Sequence, residues 1–223
     1  MNKILLIDGH SILNRAFYGV PPLTNFEGLH TNAVYGFINI MLKSLEDEHA
    51  DYIAVAFDLK APTFRHEMFA EYKGTRKPMP QELHEQVPVI KEVLAAMTIP
   101  VITLEGYEAD DILGTLAKRC QRDGFEVSIL SGDRDLLQLA DEHIKIRMPK
   151  TVKGQTSIEN YYPSDVIDKY QVTPEEFIDL KALMGDTSDN IPRVPGIGEK
   201  TAAKIIKEYH NIDKAIENYA DIT

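Results

Sequence analysis

The chain has 223 residues, 43% hydrophobic and 26% charged. That balance excludes a disordered chain and leaves room for one sizeable core plus a small second module. A formal net charge of −11 argues against a protein that simply coats nucleic acid, which carries a basic footprint. Cys120 stands alone, so an internal disulfide is excluded and a reducing cytosol suits the chain, while no apolar run approaches the ~20 residues of a membrane helix.

Ile4–Ile7 follows Lys3 and ends at Asp8, too short for the apolar part of a secretion signal but right for a buried strand. In Gly9-His10-Ser11, Ser11 has the position of a nucleophile but no evident base; capping of the helix after Asp8 explains it better. His10 reads equally as packed or functional. Val34, Phe37, Ile38, Met41 and Leu45 mark a core-facing helix. Ile53–Phe57 is a second strand. Leu83, Val87, Ile90, Leu94 and Met97 repeat the helical spacing, with Pro88 predicting a kink or a restart. Pro100–Leu104 and Val127–Leu130 are further strands, separated by a helix whose inner face is Ala109, Ile112, Leu113, Leu116 and Cys120. Strands apolar throughout, alternating with helices, predict an α/β fold: a mostly parallel central sheet, helices on both faces, right-handed crossovers. Beyond about residue 150 the strand signal fades. Thr173-Pro174-Glu175-Glu176 has the cap, the proline and the glutamate of a helix start. From there the pattern is helical, interrupted by "GDTSDNIPRVPGIG". The expected division is a core over 1–172 and an all-helical region over 173–223.

The predicted strands finish on acids. Asp8 ends "LLIDG", Asp58 ends "VAFDLK", Glu108, Asp110 and Asp111 crowd "GYEADD", and Asp133 and Asp135 close "LSGDRD". "GDTSDN" adds Asp186 and Asp189 from the helical region. In an open parallel sheet the strand C-termini line one crevice, where ligands bind. Capping and loop preferences account for any one of these acids, but poorly for nine on one rim. Two carboxylates ~5 Å apart repel by roughly 3 kcal/mol at an effective dielectric near 20, so the set calls for cations. Oxygen donors without a second Cys or a paired His point to Mg²⁺ or Mn²⁺, not zinc. Two such ions about 4 Å apart serve phosphodiester hydrolysis by activating water and stabilising the leaving oxygen. On a helix Glu108 and Asp111 share a face while Asp110 points partly aside, so the knot can feed two neighbouring ions. Setting the nine acids aside leaves the rest of the chain at about −2.

Two segments are basic where a polyanion would need them. Between Asp58 and Glu82, Lys60, Arg65, Lys73, Arg76 and Lys77 face only Glu67 and Glu71, with Phe64, Phe69 and Tyr72 interleaved. Cations with aromatics suit a single strand, although a solvated loop has the same composition. In "VPGIGEKTAAKII", Gly196 and Gly198 flank Ile197 before a helix from about Glu199, and Lys200, Thr201 and Lys204 follow. Glycines at a helix N-terminus let the backbone approach a phosphate, as in a helix-hairpin-helix that grips duplex without reading sequence.

"LLIDGHSILNRAFY", "FDLKAPTFRHEMFAEYKGTR", "GYEADDILGTLA", "SGDRDLLQL" and "GDTSDNIPRVPGIGEKTA" resemble, in order, the signature segments of the 5′-nuclease (flap endonuclease) superfamily. They look most like the N-terminal 5′→3′ exonuclease domain of bacterial DNA polymerase I. The resemblance implies a PIN-like core in which Asp8, Asp58, Glu108 and Asp110 hold one metal, and Asp111, Asp133, Asp135, Asp186 and Asp189 hold or surround a second. It puts Lys73 and Arg76 on a helical arch at about 60–90, with Lys73 on the scissile phosphate and Arg65 and Arg15 assisting. Tyr18 and Tyr72 become base-stacking residues. The hairpin becomes a helix–three-turn–helix that binds duplex and a monovalent K⁺. The implied substrates are nicked, branched or 5′-flap DNA and RNA-primed DNA, cut by a monomer in the bacterial cytoplasm at the nucleoid. Because the family domain continues some tens of residues past the position of Thr223, the expectation includes a fused or associated polymerase, a shortened form or a short stand-alone nuclease. The competing readings are a PIN-type ribonuclease and a non-catalytic, structure-specific DNA-binding module.

Overall fold

The computed structural model describes residues 1–152 and 155–221; Ile222 and Thr223, the end of the expected helical region, lie outside the described residues. Strands β1 (Lys3–Asp8), β2 (Tyr52–Ala56), β3 (Val101–Ile102), β4 (Glu126–Leu130), β5 (Ile144–Val152) and β6 (Gln155–Tyr161) form one sheet in the order β3-β2-β1-β4-β5-β6. The first five run parallel, and β6 returns antiparallel to β5. The strand order reverses at β1, so the switch point, where a parallel sheet opens a crevice, lies between β1 and β4.

Strand alternation sends side chains to two cores. On one face Leu5, Ile7, Val55 and Phe57 pack with α1 (Gly9–Gly19), α2 (Asn32–Glu48) and α5 (Gln86–Ala96), through Ile12, Leu13, Phe37, Met41, Ile90 and Leu94. On the other, Leu6, Ala54, Ala56, Val127 and Ile129 pack with α6 (Ala109–Arg122), through Ile112, Leu113 and Ala117. That second core continues into α7 (Pro163–Tyr170), α8 (Phe177–Met184), α9 (Glu199–Tyr209) and α10 (Ile212–Glu217), through Val166, Phe177, Leu180, Ile206 and Ala215. Helices thus cover both faces, as the apolar strands predict. No helix of the described residues is long and apolar enough to cross a membrane.

Several local expectations are corrected. The β5–β6 hairpin lies where the strand signal fades. Ile144 and Ile146 are buried, but Arg147 on β5 is buried too. Its charge is taken by Glu48 and Asp47 at the end of α2, and Lys145 reaches Glu48 at 2.7 Å. A buried cation is tolerated only when paired in this way, and the pairing joins residues far apart in sequence. The helix around Pro88 restarts earlier than the proline: Gln81–His84 is a separate turn (α4), and α5 begins at Gln86. Pro88 then falls in the first turn, where its missing N–H has no helical partner to lose. The Thr173–Glu176 box forms reciprocally, at 2.8 and 3.2 Å, yet regular helix starts only at Phe177. The segment 60–90 is not one continuous arch. It is helical over Phe64–Met68 (α3), α4 and the start of α5, with Pro62, Pro78 and Pro80 breaking the rest.

Candidate active site

The acids reach the rim by capping local backbone, so capping and convergence are one arrangement. Asp8 ends β1 and caps α1: its Oδ1 accepts the Ser11 N–H at 3.0 Å, and its Oδ2 accepts the Ser131 hydroxyl, just past β4, at 2.7 Å. The cap is therefore Asp8, and Ser11 instead accepts the Gly132 N–H at 2.8 Å. Ser131 Oγ accepts the Asp133 N–H, and Asp133 accepts that of Asp135. Asp58, past β2, accepts the Ala109 N–H at 2.8 Å, which ties it to the N-terminus of α6. Asp111 reaches back to the Glu108 N–H at 2.9 Å. Asp186 collects the N–H groups of Ser188 and Asp189. A Cβ on Gly9 would sit 2.5 Å from the Phe57 ring, so only glycine lets α1 start so close over the end of β2.

Four of the acids oppose one another. Burial raises the Asp110 carboxyl to about 8, and the charges of Asp8, Asp133 and Asp58 push the same way; Lys73 offsets part of this. Burial likewise lifts Asp8 to about 6, against hydrogen bonds from Ser11 and Ser131 and with Asp58 and Asp133 adding to the rise. Asp58 differs: burial would raise it, but hydrogen bonds from His10 and Ala109, with the positive charge of Lys73, hold it at about 2. These four acids and Glu108 line a cavity of about 250 Å³ together with Lys73 and Arg76.

The remaining acids rest against cations. Glu108 receives Lys73 Nζ at 2.7 Å and the Tyr72 hydroxyl at 3.0 Å. Arg65 grips Asp111 with two hydrogen bonds, at 2.7 and 2.9 Å, the fork geometry that carboxylates bind best. Arg76 pairs with Asp189, which also contacts the Tyr72 hydroxyl at 3.0 Å. Lys181 bridges Asp186 at 2.6 Å and Asp135 at 2.9 Å. Lys73, Glu108, Asp110 and Asp133 also line an adjoining cavity of about 390 Å³ with Arg65 and Asp111.

Asp8, Asp58, Glu108 and Asp110, which the resemblance assigns to one metal, line one cavity; Asp133 joins them there, and Glu108 is engaged by Lys73 and Tyr72. Among the described residues no three acid, His or Cys side chains converge closely enough to hold one ion as they stand. The donor set still fits a hard cation, because Asp8, Asp110 and Asp133 crowd like charge into a buried rim that a divalent ion would relieve. Tyr72 corrects the expectation of a stacking ring. It is 6% exposed, with His66 edge-on and Lys73 over its face. Tyr18 is exposed on α1, and Arg15 donates to the Pro149 carbonyl of β5; neither lines the two acidic cavities. The hairpin residues lie apart from the rim. Gly196 adopts φ +80° and Gly198 caps α9; Lys200, Thr201 and Lys204 are exposed, and Ile197 packs on the core. Sequence reasoning missed Lys181, Ser131 and the His10–Asp58 contact, which no spacing signals.

The sequence and the fold have known counterparts. The N-terminal resolvase-like domain of the 5′-3′ exonucleases matches residues 3–171, and their C-terminal SAM fold matches 172–223. The chain belongs to the 5′-3′ exonuclease family. It is 52% identical over 221 residues to DNA polymerase I of Bacillus subtilis (strain 168), covering 99% of this chain and 25% of that one. DNA polymerase I of Streptococcus pneumoniae serotype 4 is 47% identical over 220 residues, covering 97% of this chain and 25% of that one. The chain spans about a quarter of the length of these curated relatives. Among solved structures, a bacteriophage T5 flap endonuclease in a pseudo-enzyme-product complex with DNA and metal ions matches at 26% identity and a TM-score of 0.77, covering 97% of this chain and 78% of that one. The catalytic core of Rad2 in complex with DNA substrate, at 19% identity and a TM-score of 0.61, covering 99% of this chain and 66% of that one, shares the fold.

Proposed function

We propose that this chain is a structure-specific 5′→3′ exonuclease and 5′-flap endonuclease, hydrolysing DNA and RNA-primer phosphodiester bonds with two divalent cations, Mg²⁺ or Mn²⁺. The observation that carries the reading is the 250 Å³ cavity in which Asp8, Asp58, Glu108, Asp110 and Asp133 face Lys73 and Arg76. Asp8, Asp58, Asp110 and Asp133 would be the first donors. Glu108, Asp111, Asp135, Asp186 and Asp189 would join or surround them as Lys73, Arg65, Lys181 and Arg76 turn to phosphate. A divalent ion bound there supplies an activated water and a counter-charge for the leaving oxygen. The chain's own part is positioning. Ser11 and Ser131 hold Asp8, and Ala109 holds Asp58, so the donors are set before substrate arrives. Lys73 and Arg76 place positive charge where the scissile phosphate gains negative charge.

The core over 1–172 would do the cutting and the region over 173–223 would grip duplex. There the N–H groups after Gly198 would meet phosphate, backbone carbonyls of the Gly196 turn would hold a K⁺ ion, and Lys200, Thr201 and Lys204 would add donors to phosphate. Arg65, Arg15 and Tyr18 would guide the 5′ strand. Nicked, branched and flap DNA are the partners, with a polymerase domain continuing the chain, in a monomer at the nucleoid of a bacterial cytoplasm. The test is cleavage of a 5′-labelled flap with and without Mg²⁺, the expected product ending in a 5′-phosphate. DNA binding that survives chelation, without hydrolysis under any metal, would instead support a binding module.

A further inference from the structure

We propose that His10 is a positioning residue that fixes the carboxylate of Asp58, and the inference rests on the reading of Asp58 as a metal donor. His10 is the second residue of α1 and belongs to none of the acid or basic clusters. Its Nδ1 lies 3.2 Å from Asp58 Oδ2, while Asp58 Oδ1 takes the Ala109 N–H at 2.8 Å. Each oxygen of Asp58 therefore has its own hold, one from a helix terminus and one from an imidazole. Two holds on two oxygens fix the plane of a carboxylate, which a single hydrogen bond leaves free to rotate. The remaining lone pairs serve the rim cavity that Asp58 and His10 both line.

The imidazole is itself anchored. Its ring meets Phe57 edge-on, with centroids 5.1 Å apart and planes at 84°. Phe57 is fully buried, and Gly9 lets α1 descend directly onto it. The hold on Asp58 is thus referred to the core and not to a mobile loop. Nδ1 must carry a hydrogen for the Oδ2 contact to attract. A bare Nδ1 would accept the Asp58 N–H at 3.3 Å instead and turn its lone pair on the carboxylate. Hydrogen on Nδ1 is the tautomer that the proposed hold requires, in place of the one that accepts the Asp58 N–H. Groups that orient a metal donor in this way cost about 10- to 100-fold in affinity or rate when removed.

His10→Phe keeps a ring against Phe57 and removes the nitrogen; His10→Asn places an amide N–H near the position of Nδ1. Mn²⁺ affinity of the DNA-free 223-residue chain, read by electron paramagnetic resonance, should weaken about tenfold in His10→Phe. Flap-cleavage kcat should fall about 10- to 100-fold with KM unchanged, and His10→Asn should recover most of both. In the wild-type chain ¹⁵N NMR should show Nδ1 of His10 as the protonated nitrogen. A bare Nδ1, wild-type Mn²⁺ affinity in a folded His10→Phe, or an Asn variant as impaired as the Phe variant would each overturn the proposal. Asp58→Asn separates the two levels: unchanged Mn²⁺ affinity there removes the metal-donor reading itself, and His10's role with it.

Discussion

On the β1–β4 side of the rim, Asp8, Asp58, Asp110 and Asp133 press like charge together; Asp8 and Asp110 are raised, and Asp58 is held well below the ordinary carboxylate range. Glu108 in the cavity they share and Asp111 and Asp189 beside it each rest against Lys73, Arg65 or Arg76; Lys181 bridges Asp135 and Asp186, although burial still holds the Asp135 carboxyl up. The side chains are chemically the same; what differs is whether the fold brings its own counter-charge. A wall neutralised from within supports the fold. A wall left unneutralised weakens it and is kept for a charge that arrives from outside.

The largest effect should come from Asp110→Asn, which keeps the shape and removes from that wall a carboxyl that the metal-free fold holds only by keeping it protonated up to about pH 8. Flap cleavage should fall about a thousandfold or more, since that wall supplies the metal donors. The metal-free protein should melt about 2–4 °C higher, as expected for roughly 1 kcal/mol in a chain of this size, because the unfolded chain no longer gains by ionising this carboxyl. A lower melting temperature would break the comparison. Lys73→Met acts on the neutralised wall. It should lower kcat about a hundredfold through the lost phosphate contact, yet tighten Mn²⁺ binding without DNA, because Glu108 is released; titration of the DNA-free protein checks this. Asp111→Ala should cost about 1–2 kcal/mol, read in a thermal melt, because it removes a helix cap and a partly exposed ion pair with Arg65.

Stability against pH sharpens the contrast further. In chelator, Asp110 at about 8 and Asp8 at about 6 bind protons in the folded protein that the unfolded chain, titrating near 3.8, has already released. The folded state binding more protons means stability falls as pH rises from about 4 to about 8. Melts across that window should show the decline, and saturating Mg²⁺ should flatten it. The smallest effect belongs to neither wall: Lys200→Ala should weaken duplex binding several-fold, reduce the salt slope by about 1 and leave Mn²⁺ affinity unchanged.

The strands that carry the rim were legible because β1, β2 and β4 are apolar runs ending on acids, and α2 and α6 were legible from their spacing. The β5–β6 hairpin was not, since its burial of Arg147 depends on Glu48, a residue of another element. The convergence of acids was legible from topology alone. Their division into two walls was not, because it depends on where Lys73, Arg65 and Lys181 come to rest. Ser11 and Tyr72 misled for a related reason: a hydroxyl and a ring have several uses, and only packing selects one.

Tyr72 has a consequence of number. Its hydroxyl carries one hydrogen and stands 3.0 Å from a carboxylate oxygen of Glu108 and 3.0 Å from one of Asp189. Burial and both carboxylates push its own ionisation far upward, so the hydrogen stays on the phenol. It can be given to one neighbour at a time. Glu108 and Asp189, far apart in the chain, are thereby made rivals for a single proton, and whichever goes without leans the more on its own cation, Lys73 or Arg76.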